Sequence, residues 1–273
     1  MRRALIFDCD GVLADTEPHG HLPAFNRMWR EEGVPWQWTV EEYGRSLRIG
    51  GGKERMAGLF EQPAFRAVWN PPEDAGGRRE LLVRWHQRKS AIYRDIVAAG
   101  LIPARSGVRR LASEAAAAGW TLAVASTSAA ESVHAVLRHA MGEELAARFA
   151  LVLAGDVVAR KKPSPEIYLL AAERLQIPPS QCVAIEDSSN GLEAATAARM
   201  KCVVTMSSYT AGEDFSRAAL VLTCLGDPSG EICEVLANRS AAHPGAWCEV
   251  RDLEDVLSAP QPAAKNAGID NLL

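Results

Sequence analysis

The chain has 273 residues, 48% of them apolar and 23% charged, enough for one large globular domain or for a core with a smaller insert. Its net charge of -4 gives no whole-molecule attraction to nucleic acid or anionic lipid, and no apolar stretch approaches the ~20 residues that cross a bilayer. The six cysteines form no CxxC pair, which argues against a zinc site or a disulfide framework; they read as reduced, mostly buried thiols in a cytoplasmic protein.

The apolar run that begins at Ala4 is too short for a secretory signal and stops at Asp8, so Leu5–Phe7 reads as the first strand. From Thr16 to Val97 no strand pattern follows. This segment holds five of the seven tryptophans, and it carries 13 basic against 11 acidic residues. Its periodicity predicts helices over 22–32, 41–48, 53–60 and 78–96. Beyond it, continuous apolar runs predict strands over 121–125, 151–154, 183–185 and 202–205, with a weaker one over 220–222. Helical patterns fall between them at 108–118, 131–140, 165–175 and 191–198. For the third of these, Ser164 is expected as the cap and Pro165 at the first position.

Alternating strands and helices imply an α/β fold: a doubly wound parallel sheet of Rossmannoid type, with a small α-helical cap domain inserted after the first strand. The expected division is a core of residues 1–15 and 98–258, a cap of 16–97, and a flexible tail of 259–273. Residues 223–248 carry no functional signal.

Four polar stations follow the apolar runs. Asp8-Cys9-Asp10-Gly11 sets two acids beyond a buried strand, which is costly unless a cation sits there, and a hard ion such as Mg²⁺ suits them. Ser126, followed by Thr127 and Ser128, ends the next strand, Lys162 precedes Pro163 in a loop, and Glu186-Asp187 ends a third strand. Singly these read as well as a turn, a helix cap and a solvated basic run. Together, at the carboxyl ends of neighbouring strands ~4.8 Å apart, they are the parts for Mg²⁺-assisted phosphoryl transfer.

These motifs, DCDGV (8–12), LAVAS (122–126), KKPSPEIY (161–168) and AIEDSSNG (184–191), resemble the haloacid dehalogenase superfamily, and the helical insert resembles its β-phosphoglucomutase-like branch. Within that branch, WQWTVEEYGR (36–45), GGGKERM (50–56) and YTAGEDFSRAALVL (209–222) resemble the CbbY group. Members of that group remove phosphate from xylulose 1,5-bisphosphate, a misfire product that inhibits Rubisco, the carboxylase of the Calvin cycle.

The resemblance implies that Asp8 is the nucleophile and Asp10 the general acid and base, with Ser126 and Lys162 against the phosphoryl group. It implies Mg²⁺ held by Asp8, the Asp10 main-chain carbonyl and Asp187, with Glu186 acting through water or outer contacts. In the cap, Gly51, Gly52, Lys53 and Arg55 would hold a second phosphate; a plain interhelix turn also fits that loop. Glu17, His21 and Tyr43, with Thr127 and Ser128 in the core, are candidates to touch substrate. His19 lies so close that the spacing leaves open which histidine faces the pocket. The expected protein is a monomeric phosphatase acting on a small sugar phosphate, without nucleic acid or membrane partners. A phosphomutase of the β-phosphoglucomutase kind, a phosphoglycolate phosphatase and a non-catalytic relative are the alternatives.

Overall fold

Four apolar residues in a row, each with no exposed surface, make β1 (Ala4–Phe7), an interior strand of the sheet. The computed structural model describes residues 2–49 and 51–259. In chain order after β1 come α1 (Leu22–Glu31), α2 (Val40–Ser46), α3 (Gly52–Leu59), α4 (Pro63–Val68), α5 (Ala75–Ala98), α6 (Val108–Ala117) and β2 (Thr121–Ala125). Then follow α7 (Ala130–Met141), α8 (Glu143–Ala146), β3 (Phe149–Leu153), α9 (Glu166–Leu175), β4 (Cys182–Glu186), α10 (Ser189–Ala197), β5 (Lys201–Thr205), β6 (Leu220–Leu222), β7 (Val235–Asn238) and α11 (Val250–Ser258). Two compact units result, one of 1–14 and 104–273, the other of 15–103.

In the first unit the sheet order is β3-β2-β1-β4-β5-β6-β7. β1 lies parallel to both β2 and β4, with Phe7 level with Val124 on one side and Ile185 on the other. The doubly wound sheet is therefore parallel from β3 to β6, and only β7 at the edge runs antiparallel. Helices cover both faces: α9 and α10 pack on one, α6 and α11 on the other. Leu5, Ile6 and Phe7 are wholly buried, each worth roughly 1.5–3 kcal/mol.

Some boundaries differ from the sequence expectation. Pro165 takes the cap position of α9 and Glu166 begins the helix; Ser164 accepts from the Glu166 N–H at 3.5 Å from one residue further out. The third strand runs over Phe149–Leu153 instead of 151–154, because its edge position leaves part of it exposed. Apart from Ala259, the tail expected at 259–273 lies outside the described residues.

The second unit is helical, without a strand among its described residues. Its interior is aromatic: Phe25, Trp29, Trp38 and Tyr43 meet at ring-centroid distances of 4.7–5.9 Å, and Phe60, Phe65, Trp69 and Trp85 form a second chain of rings. α2 begins at a capping box, with Thr39 and Glu42 bonding each other's backbone N–H. Asn26 fixes the chain before it, its side chain bonding both the N–H and the carbonyl of Trp38 at 2.9 Å.

Candidate active site

Parallel strands deliver their carboxyl ends to one edge, and there the polar stations meet. The Asp8 N–H donates to the Ile185 carbonyl at 2.9 Å, so the β1–β4 pairing carries Asp8 alongside Glu186. Lys162, from the β3–α9 loop and joined to Pro163 by a cis peptide bond, donates through Nζ to Asp8 Oδ1 and to Glu186 Oε1, each at 2.6 Å. One oxygen from each of Asp8, Glu186 and Asp187 lies within 4.8 Å of the others. Two glycines make room. At Gly11, whose φ of +74° already excludes most side chains, a Cβ would stand 2.1 Å from Asp187 Oδ2; at Gly191 it would stand 1.9 Å from Glu186 Oε2.

Three carboxylates share this volume with one ammonium, an excess of negative charge in a buried place. Burial, the largest cause, pushes Asp8 up to about 7; Lys162 opposes it, and Glu186 and Asp10 add to it. Burial, with Asp8 and Glu186, holds Asp187 well above the usual carboxylate range. Burial would lower Lys162, but Asp8 and Glu186 outweigh it and raise the ammonium above its ordinary value. Glu186 Oε2 is buried with no hydrogen-bond partner among the described residues. An all-oxygen donor set with surplus charge and one unmatched carboxylate oxygen fits a hard divalent cation.

Ser126 is 1% exposed at the end of β2. The alternative reading of it as a helix cap is not what the structure shows. α7 starts at Ala130 with no side-chain cap, and Ser126 Oγ instead accepts from the Ser128 N–H at 3.1 Å. Ser128 Oγ in turn donates to Asp10 Oδ2. Asp10, Ser126, Thr127 and Ser128 thus belong to adjoining loops at the ends of β1 and β2.

The helical unit gathers its own polar cluster. Tyr43 donates its hydroxyl to Glu17 Oε2 and accepts from Arg55 Nη1 at 3.1 Å, while Arg55 Nε donates to the Ile49 carbonyl at 2.9 Å. His21 stacks on Tyr93, with ring centroids 4.0 Å apart, and its Nδ1 lies 2.8 Å from Lys89 Nζ. Burial, then the charges of Lys89 and Arg55, keep His21 well below the usual histidine range. His19 is exposed, 3.9 Å from Asp15. Of the two histidines, His21 is the one in the cluster. Gly51 is the cap of α3 and Gly52 its first residue; Gly52 packs near Phe25 and His86. Lys53 is exposed, and its charge helps lower His86. Gly50 lies outside the described residues.

Three functional neighbours escaped the sequence reading. Tyr168 bonds Glu186 Oε1, Arg105 bonds the carbonyls of Met206 and Thr223 and pulls Asp187 downward, and Lys89 bonds His21. Tyr168 stands six residues after Lys162 within one motif, but nothing there marks its hydroxyl as facing a carboxylate.

The chain matches the haloacid dehalogenase-like hydrolase family over residues 2–199. It is 45% identical over 228 residues to a CBBY-like protein of Arabidopsis thaliana, covering 84% of this chain and 70% of that one. With the plasmid-encoded CbbY of Cupriavidus necator it shares 42% over 229 residues, 83% of this chain and 87% of the relative. A crystal structure of a mutant CbbY from Rhodobacter sphaeroides, in complex with xylulose 1,5-bisphosphate, superposes with a TM-score of 0.69 at 39% identity; it spans 82% of this chain and 95% of that one.

Proposed function

We infer the reaction from one premise: the chain belongs to the haloacid dehalogenase-like hydrolases and is a phosphoric monoester hydrolase. The proposed substrate is a sugar bisphosphate, xylulose 1,5-bisphosphate, converted to xylulose 5-phosphate with Mg²⁺ as cofactor. One observation carries this reading: Asp8, Glu186, Asp187 and Lys162, scattered along the sequence, converge on one small volume. Its choice of sugar is supported by the likeness to a CbbY crystallised with that bisphosphate.

An Asp8 carboxylate oxygen attacks phosphorus as the bond to the sugar oxygen breaks, which leaves an aspartyl phosphate. Asp10 protonates the departing sugar oxygen, then takes a proton from the water that cleaves the aspartyl phosphate and returns Asp8 with inorganic phosphate. The Ser128 hydroxyl, bonded to Asp10, holds that carboxylate in one orientation between the two transfers. Lys162 offsets charge on Asp8 and on the phosphoryl oxygens, and Ser126 and Thr127 orient them. Asp8, Asp187 and the Asp10 carbonyl, with Glu186 beside them, would hold Mg²⁺, which would neutralise charge at those oxygens.

In the helical unit, Lys53, Arg55 and the main-chain N–H groups of Gly51 and Gly52 take the unreacting phosphate, as an unpaired helix start does. Glu17, His21 and Tyr43 contact the sugar. The test is phosphate release from xylulose 1,5-bisphosphate, ribulose 1,5-bisphosphate and phosphoglycolate, with and without EDTA. Xylulose 1,5-bisphosphate should lead in kcat/KM by at least about tenfold. EDTA should abolish turnover and added Mg²⁺ restore it. A lead for phosphoglycolate, or glucose 6-phosphate formed from β-glucose 1-phosphate, would replace this assignment with one of the rival reactions.

A further inference from the structure

Tyr168 sits in the first turn of α9 with no exposed surface, yet its polar end is aimed at the acid cluster. Its hydroxyl donates to Glu186 Oε1, the same oxygen that receives Lys162 Nζ at 2.6 Å. The Lys162 ammonium stands 5.1 Å from the centroid of the Tyr168 ring. One side chain therefore touches both neighbours by two different interactions, a hydrogen bond to the carboxylate and a cation–π contact to the ammonium. With Oε1 engaged by two donors, the Glu186 carboxylate has one fixed orientation. Oε2 is then the oxygen left without a hydrogen bond, and Glu186 is one of the three acids that could share a cation.

We propose that Tyr168 is a positioning residue, which locks Glu186 and Lys162 so that the acid cluster meets a divalent cation already arranged. This rests on the metal reading above and adds a residue to it. Groups that hold a metal's ligands in place are commonly worth about 10- to 100-fold in metal affinity. Phenylalanine is the informative replacement: it keeps the ring over which Lys162 stands and removes only the donor to Glu186.

The experiment titrates the full-length chain and its Tyr168→Phe variant with Mn²⁺ alone, following free Mn²⁺ by electron paramagnetic resonance, without substrate. The variant should bind Mn²⁺ about 10- to 100-fold more weakly. Unchanged Mn²⁺ affinity overturns the proposal, whatever happens to thermal stability. In a Glu186→Gln background the same substitution should cost little further affinity; a full additional loss would show that Tyr168 acts elsewhere and would also overturn it. Should Tyr168→Phe not fold, Tyr168→Met removes hydroxyl and ring together, and its loss of Mn²⁺ affinity should again vanish in the Glu186→Gln background. Absence of Mn²⁺ binding by the parent chain is a different result: it removes the metal reading itself, and this inference with it.

Discussion

The acid cluster of the sheet unit and the start of α3 in the helical unit differ in how far their charges are withdrawn from water. In the first, Asp8, Glu186 and Lys162 are withdrawn from water and bonded to one another, with Glu186 Oε2 left unmatched among the described residues, and glycine stands at positions 11 and 191 because no larger residue fits. In the second, aromatic rings fill the interior beside the Glu17–Tyr43–Arg55 and His21–Lys89 contacts, while Lys53 at the start of α3 is exposed. A site built from mutually bonded buried charges is fixed before substrate arrives, as bond-breaking requires. Lys53 is solvated and Arg55 only half-buried, so a site built on them gains little until an anion displaces water. Residues of the first kind should govern kcat, and residues of the second KM.

The largest expected effect sharpens the first half of that contrast. Asp8→Asn removes the proposed nucleophile and should lower phosphate release by at least about 10⁴-fold, measured at saturating substrate and Mg²⁺. Retained turnover would break the comparison at its root. Next, Lys53→Ala and Arg55→Ala should raise KM for the bisphosphate about 10- to 100-fold with kcat within a few-fold, while phosphoglycolate, lacking a second phosphate, changes little. Equal losses in kcat for both variants would erase the distinction between the units.

The smallest effect concerns pH. His21 is held below its unfolded value of about 6.5, so the folded state binds fewer protons than the unfolded one as pH falls. Stability from this histidine is complete above pH ~6.5 and declines as pH drops below that value. Urea unfolding at pH 7.5 and 5.5 should show a smaller difference for His21→Asn than for the parent chain. An equal difference in both would mean that the histidine does not titrate into the unfolded state as described.

Much of the fold is legible from apolar runs alone, because strands buried on both faces leave no other pattern. Residues 121–125 and 220–222 are strands with those very bounds. Four elements escape the sequence reading: α4, α8, α11 and β7. β7 escapes because an antiparallel edge strand leaves Val235 and Leu236 more than 40% exposed, so it lacks both the buried run and a clean alternation. The site divides along the same line. Asp8, Glu186 and Asp187 stand where apolar runs stop, which marks them. Tyr168 lies inside an apolar helical stripe and reads as core, while Lys89 reads as one more surface lysine of a long helix although it is 8% exposed. Nothing in a one-dimensional pattern distinguishes a buried donor that faces a carboxylate from one that merely packs.

The two chain crossings into the helical unit carry a consequence for how such an enzyme changes. Ala14 and Ala104 form an isolated bridge, the Arg105 N–H bonds the Leu13 carbonyl at 3.1 Å, and the Asp15 N–H bonds the Pro103 carbonyl at 3.2 Å. The 89 residues of that unit, 15–103, thus leave and rejoin the sheet through a single doorway. An insert of other length or composition can be grafted at the same threshold without rewiring any strand. On the proposed assignment, the residues that select the substrate and those that react lie in separate units, so a change within 15–103 leaves the strand order of the sheet as it is.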